Sequence, residues 1–123
     1  KSLTMYDLEY KNGAKCPVLQ VCDNDMYVGE TGELDGDNFH GVIAEDAASG
    51  KKLCYEVSDE YKFWIIWNDR GMNHYFCPEP MTAMIDAPNL SLERDVTGYT
   101  EVKPGDTFET HQRFFTKLPA VEE

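Results

Sequence analysis

One carboxylate in the sequence stands between two prolines, in the segment Cys77-Pro78-Glu79-Pro80-Met81. Each proline fixes its own φ and biases the residue before it towards an extended conformation, so we expect a stiff backbone around Glu79. A carboxylate on a stiff carrier is suited to general base catalysis, because it stays in place when a substrate binds. The alternative is an ordinary solvated or ion-paired glutamate in a proline-containing loop. The pattern alone leaves both interpretations open.

A second short motif, Asp86-Ala87-Pro88-Asn89, follows Cys77-Pro78-Glu79-Pro80-Met81-Thr82 closely. Together the two segments resemble the glutamate motif near the C-terminus of the galactose mutarotase (aldose 1-epimerase) family, where the pattern reads Cys-x-Glu-Pro-Trp/Met-Thr and then Asp-Ala-x-Asn. Weaker similarities flank them at Asp37-Asn38-Phe39 and at Val102-Lys103-Pro104-Gly105-Asp106. The resemblance covers most of the stretch from Asp23 to Phe115.

This resemblance implies a fold, an activity and two site residues. The implied fold is the galactose mutarotase-like supersandwich, an all-β antiparallel β-sandwich, and the implied activity is interconversion of the α and β anomers of an aldose. Glu79 matches the family's catalytic base. Asp37 matches its sugar-binding aspartate less closely, with Asp35 as a near competitor.

The family's catalytic domain is much longer than this chain, and its acid histidines lie in the part that the chain does not match. The resemblance therefore implies that residues 1–123 are the C-terminal half of a single β-sandwich domain. We expect an N-terminal segment of the same protein as the companion chain and an aldose, or another monosaccharide, as the substrate. Without that segment the chain is expected to be inactive.

Three histidines are present, and the sequence assigns the acid role to none of them. His74 lies five residues before Glu79, which would place the two side chains on opposite faces of a regular strand. His111 alternates with apolar positions and is predicted to face solvent. His40 could line the same cleft as Asp37, although a lone histidine is more often structural.

The charge balance excludes several classes of partner. A net charge of -12, from 23 acidic and 11 basic side chains, leaves no basic patch able to follow a phosphate backbone or an anionic membrane. A neutral polyhydroxy ligand is compatible with such a surface. A carbohydrate-binding β-sandwich module without catalysis is therefore the alternative function.

Neither a metal nor a cofactor is predicted. Two acidic segments, Asp23-Asn24-Asp25 and Asp35-Gly36-Asp37-Asn38, lack the glycine and glutamate that an EF-hand needs, and are predicted to be solvated loops. The cysteines form no Cys-x-x-Cys pair, and zinc-ribbon spacing is absent. Cys54 and Cys77 are predicted to be small buried hydrophobes, and whether Cys16 and Cys22 pair stays open.

The sequence contains no signal peptide and no apolar run of about 20 residues, so it predicts no membrane span. It begins with Lys1 rather than Met, which we interpret as a sign of a processed, cleaved or incomplete N-terminus. The compartment is left open, with the cytoplasm favoured.

Strand patterns dominate the chain, and no segment has a helical period. Tyr61–Trp67 is the most apolar segment and is predicted to be a central strand buried on both faces. Residues 51–57 alternate as a half-buried strand does, and residues 107–115 predict a final strand with one wet face. Further segments are assigned as follows: strands at Pro17–Cys22 and Tyr99–Val102, an apolar run at Phe39–Ile43, a turn at Lys103–Asp106, and loops at Tyr27–Asp37 and Asp86–Arg94.

Overall fold

The computed structural model describes residues 23–46, 48–69 and 76–121. Over these residues the chain forms β-strands, one short α-helix and a 3-10 helix. The strands are β1 (Asp23–Val28), β2 (Gly32–Leu34), β3 (Asp37–Phe39), β4 (Gly41–Glu45), β5 (Lys52–Val57), β6 (Phe63–Trp67), β7 (Cys77–Met81) and β8 (Gln112–Lys117). The α-helix α1 spans Arg94–Thr97, and the 3-10 helix spans Ala87–Asn89.

The strands pair antiparallel in three sheets, with the orders β1-β6-β7, β2-β3 and β4-β5-β8. In each three-stranded sheet the central strand is one that the sequence predicts, β6 and β5 respectively. The prediction of an all-β antiparallel fold is confirmed.

Strand β6 is buried on both of its faces. Phe63, Trp64, Ile65 and Ile66 are each at most 4% exposed, although successive side chains of a strand point to opposite sides. A strand can be covered in this way only if other elements pack on both sides of its sheet. The prediction of a central strand buried on both faces is therefore confirmed, and the strand begins at Phe63 rather than at Tyr61.

The two three-stranded sheets pack against each other through one apolar cluster. Trp64 and Ile66 of β6 and Val57 of β5 all belong to this cluster. Tyr55 meets Trp64 edge to face, with ring centroids 5.7 Å apart, a favoured geometry for aromatic pairs. The predicted sandwich is thus present, and Trp64 is its central side chain.

The β2–β3 hairpin covers the opposite face of β5. Leu34 and Phe39 pack on Cys54, which is 0% exposed, and Phe115 of β8 lies edge-on to Phe39 with ring centroids 6.4 Å apart. Burial raises the pKa of the Cys54 thiol. Cys54 is therefore a buried hydrophobe, as predicted.

The loop predicted for Tyr27–Asp37 is wrong in part. This stretch contains the end of β1 and all of β2, and only Asp35 and Gly36, both at positive φ, form a turn. The segment Asp23-Asn24-Asp25, predicted to be a solvated loop, begins β1. Pairing with the apolar strand β6 overrides the low strand propensity of these residues.

The apolar run at Phe39–Ile43 divides at His40. Phe39 ends β3, whereas Gly41 begins β4, and the two strands belong to different sheets. The loop predicted for Asp86–Arg94 is mostly irregular, with the 3-10 helix near its start.

Two predictions near the C-terminus need correction. Tyr99–Val102 forms no strand, and the last strand begins at Gln112 rather than at residue 107. Within β8, Phe114 is 63% exposed, while Phe115 on the other face packs on the core. Because aromatic residues lie on both faces of β8, the alternation of apolar and polar residues does not predict which face is buried.

The turn at Lys103–Asp106 is confirmed. The amide of Asp106 donates to the carbonyl of Lys103 at 3.0 Å, and Gly105 takes a φ of 89°. The strand predicted for Pro17–Cys22 lies outside the described residues, as do Cys16 and His74.

Gly98 and Gly105 both take a positive φ, and together they test how closely the backbone packs around Gly98. A Cβ on Gly98 would lie 2.4 Å from the Thr82 carbonyl oxygen, whereas a Cβ on Gly105 would meet nothing within 4 Å. We predict that Gly105→Ala lowers the free energy of unfolding by about 1 kcal/mol, through left-handed strain alone. Gly98→Ala should cost roughly 3 kcal/mol, because backbone must also move. Urea unfolding followed by tryptophan fluorescence measures both, and equal losses would contradict the crowding at Gly98.

Candidate functional site

Glu79 lies at the centre of β7, opposite Ile65 of the buried strand β6. Its neighbours Pro78 and Pro80 have no amide hydrogen to donate. In an antiparallel pair, every second residue forms the backbone hydrogen bonds to the neighbouring strand. Because the prolines cannot donate, Glu79 is a residue that hydrogen-bonds to β6, and the nitrogens of Pro78 and Pro80 point away from β6. The backbone of Glu79 is therefore held by the most buried strand of the fold.

The side chain of Glu79 is half-buried and shares a face of β7 with Cys77, two residues earlier. The Cys77 thiol donates to Glu79 Oε1, with Sγ and Oε1 3.5 Å apart. Burial, and then the carboxylate of Glu79, raise the pKa of Cys77. The thiol therefore keeps its proton around neutral pH and acts as a donor.

The prediction that Cys77 is a buried hydrophobe is therefore wrong. Its side chain is half-buried and hydrogen-bonded to the one residue that the sequence singles out for chemistry. Sequence reasoning missed this contact, although the spacing of two residues within a predicted strand is the signal that could have found it.

The Asp86-Ala87-Pro88-Asn89 motif forms a self-contained turn. Asp86 takes a left-handed conformation with φ of 59°, and its side chain accepts a hydrogen bond from Asn89 Nδ2 at 2.6 Å. Ala87 is buried against Phe63 and Met84 beneath it. The motif therefore determines the path of the backbone after β7.

A cavity of about 310 Å³ lies beside this turn. Hydroxyl and carboxylate groups come from Thr82, Thr100 and Asp86, and aromatic surface comes from Tyr99 and Phe108. Hydroxyls, carboxylates and aromatic faces are the groups that bind neutral polyhydroxy compounds. Glu79 is not among the residues that line this cavity.

Asp37 lies in the β2–β3 hairpin, opposite Leu34, with an exposed side chain. Its neighbour Asp35, at the turn, forms an ion pair with Lys117 of β8. This pairing lowers the pKa of Asp35 and raises that of Lys117. Asp37 and Glu79 lie in different sheets, so a shared sugar site between them stays a prediction.

His40 has a structural contact. Its Nε2 lies 2.7 Å from the carbonyl oxygen of Tyr61, and the carbonyl can only accept. Nδ1 is buried without a hydrogen-bond partner among the described residues. His40 therefore joins two strand ends rather than presenting a proton to a ligand.

His111 is exposed, as the sequence predicts, and its backbone amide donates to Ser58 Oγ at 2.9 Å. Over residues 23–46, 48–69 and 76–121, no three or more His, Cys, Asp or Glu side chains come together as a metal site would require. In the same part of the chain, no helix has the length and apolar character needed to cross a membrane.

Comparison with known proteins identifies the fold. No protein-family model matches the sequence. Among solved structures, the chain is similar to a galactose mutarotase-like protein from Clostridium acetobutylicum, with 31% sequence identity and a TM-score of 0.77. The match covers 83% of this chain and 30% of that protein.

The chain therefore has a galactose mutarotase-like fold, as the glutamate motif implies. It spans less than a third of the length of the protein that it matches. The whole-protein activity and the companion segment remain proposals.

The role of His40 can be tested by two substitutions of different chemistry. Glutamine can donate from a position similar to Nε2, whereas leucine cannot donate at all. We predict that His40→Leu lowers the free energy of unfolding by about 1–2 kcal/mol more than His40→Gln, because the Tyr61 carbonyl loses this donor. Urea unfolding measures the difference. Equal stability of the two variants would show that the hydrogen bond contributes nothing.

Proposed function

We propose that this chain carries the catalytic base of an aldose 1-epimerase-like site and that the base is Glu79. The observation that carries the proposal is the placement of Glu79, which is half-buried on a backbone fixed between two prolines and paired to β6. The similarity to a galactose mutarotase-like protein at 31% identity supports it.

In mutarotation, a base removes the proton from the anomeric hydroxyl while an acid protonates the ring oxygen. The ring opens, the anomeric carbonyl turns its other face, and the ring closes as the protons return. Glu79 takes and returns the hydroxyl proton in this scheme. The geometry of His40 makes it unsuitable as the acid, because its Nε2 proton is engaged by Tyr61. The proposed acid is a histidine of the companion segment, and Asp37 is the proposed sugar-binding carboxylate.

An N-terminal segment of the same protein is the companion that we propose for this chain. The face of β5 that packs on Trp64 continues past the covered region and onto β8, where Leu53 is 50% and Phe114 is 63% exposed. Phe114 stacks on Tyr55, with ring centroids 4.1 Å apart, and Tyr55 in turn contacts Trp64. We call Leu53 and Phe114 the open strip. Covering apolar surface contributes about 25 cal/mol per Å², so the strip favours a partner that extends the sandwich.

A second candidate function is carbohydrate binding without catalysis. The cavity beside the Asp86 turn favours it, because hydroxyl, carboxylate and aromatic groups converge there without Glu79. Such a module would bind a sugar and leave the rate of anomer exchange unchanged.

We predict that Glu79→Gln lowers the turnover of anomer exchange by at least about 100-fold, because general base catalysis typically contributes about 10²–10⁴ in rate. Glutamine keeps the size of the side chain and one acceptor oxygen, so sugar binding should change far less. Polarimetry of a freshly dissolved α-aldose, in the protein that contains this chain with its companion segment, measures the effect. Glu33→Gln is the control, since Glu33 is an exposed carboxylate in another sheet.

Equal rates above the spontaneous background in Glu79→Gln and unmodified protein would exclude Glu79 as the base. Sugar binding without any acceleration in the unmodified protein would favour the binding module instead.

If an N-terminal segment covers the open strip, Phe114 becomes less exposed to solvent. Hydroxyl radicals should oxidise Phe114 readily in the isolated chain and at least roughly fivefold more slowly in the protein that includes the companion segment, because the open strip becomes core. Leu92 is 52% exposed outside the strip and serves as the internal reference. Peptide-resolved mass spectrometry gives both rates. Unchanged oxidation of Phe114 would show that another surface contacts the companion.

A further inference from the structure

The Cys77 thiol is a functional group near Glu79 that the proposed reaction does not use. The two side chains lie side by side on one face of β7, and the thiol donates to Oε1, with Sγ and Oε1 3.5 Å apart. Pro78 between them belongs to the other face. Over the described residues, Cys77 is the side chain that donates to Glu79.

A carboxylate has two equivalent oxygens, and rotation of its last torsion exchanges them freely unless one is engaged. The thiol engages Oε1, which leaves Oε2 with its lone pairs available for an incoming hydroxyl. A general base must lie within hydrogen-bond distance of the proton that it removes, and small errors in position lower the rate strongly. Engagement of one oxygen therefore matters for catalysis at the other.

We propose that Cys77 is a positioning residue, whose thiol holds Glu79 Oε1 so that Oε2 receives the proton of the anomeric hydroxyl. This inference rests on the proposed function of Glu79 as the base. It adds a role for the cysteine that begins the glutamate motif, and it makes the site sensitive to any chemistry that removes the thiol proton or adds a group to the sulfur.

The contact has a consequence for the thiol itself that can be measured without catalysis. The Glu79 carboxylate contributes to the raised pKa of Cys77, through the hydrogen bond and through its charge. Removal of that charge lowers the pKa of Cys77 and increases the fraction of thiolate, which is the form that reacts.

We predict that Glu79→Gln increases the rate of alkylation of Cys77 by iodoacetamide at pH 8 by at least roughly threefold in the protein that contains this chain with its companion segment. Peptide-resolved mass spectrometry separates Cys77 from the other cysteines, and Glu33→Gln should leave the rate unchanged. Equal rates in Glu79→Gln and the unmodified chain would overturn the inference, whatever the outcome for catalysis.

Two substitutions at Cys77 separate positioning from packing in the protein with its companion segment. Valine is somewhat larger and has no donor, and serine keeps a donor on a slightly smaller side chain. We expect Cys77→Val to lower kcat for anomer exchange by roughly tenfold with KM little changed, and Cys77→Ser to stay within about twofold of the unmodified protein. Full activity in Cys77→Val, or equal losses in both variants, would overturn the positioning role. If Glu79→Gln itself keeps full activity, the proposed base is wrong, and the alkylation result still decides whether the two side chains are coupled.

Discussion

Strand β7 is held in one register by its antiparallel pairing with the buried strand β6. Strand β6 is buried on both faces, so its position is fixed from either side by packing. Pro78 and Pro80 have no amide hydrogen to donate to β6. The backbone hydrogen bonds between β7 and β6 are therefore formed by Cys77, Glu79 and Met81, and Glu79 is the central residue of the three. A shift of one residue in register would place a proline against the ladder and move Glu79 to the opposite face.

The segment after β7 strengthens this arrangement. The amide of Met84 donates to the Thr97 carbonyl at 2.8 Å, which closes the segment that contains the Asp86 turn and α1. Gly98 brings the returning chain against Thr82 at a distance that leaves no room for a side chain. The glutamate motif and the Asp-Ala-x-Asn motif thus contribute differently, the first a functional side chain and the second the path of the backbone behind it. Both lie against the same buried strand β6, Glu79 through its pairing with Ile65 and Ala87 through the cluster that contains Phe63.

Local patterns in the sequence were sufficient for the elements whose environment is uniform along their length. Strand β6 is apolar throughout, so its position could be predicted. The turn at Lys103–Asp106 could also be predicted, because the φ preferences of Pro104 and Gly105 define it. The β2–β3 hairpin could not, because its Gly- and Asp-rich residues are held by pairing and by the cluster around Cys54 rather than by propensity. The buried face of β8 was missed for a similar reason, since Phe114 and Phe115 each pack on a different partner.

The candidate site likewise has features that the local sequence predicts and features that depend on the fold. The proline spacing around Glu79 is a local signal, and it places the carboxylate on a stiff strand. The contact with Cys77 follows from strand geometry but becomes visible only when β7 is known to be a strand. The relation between Glu79 and Asp37 depends on how separate sheets come together, which neither spacing nor composition encodes.

The β6–β7 ladder fixes the backbone of Glu79, and amide hydrogen exchange measures how firmly it does so. Glu79 and Ile65 lie opposite each other in this ladder, so each amide should donate across it. We predict that the Glu79 amide exchanges within about tenfold of the rate of the Ile65 amide, because both become exposed only when the strands separate. Exchange of the Glu79 amide as fast as that of Thr107, which lies in an exposed segment without regular structure, would contradict it.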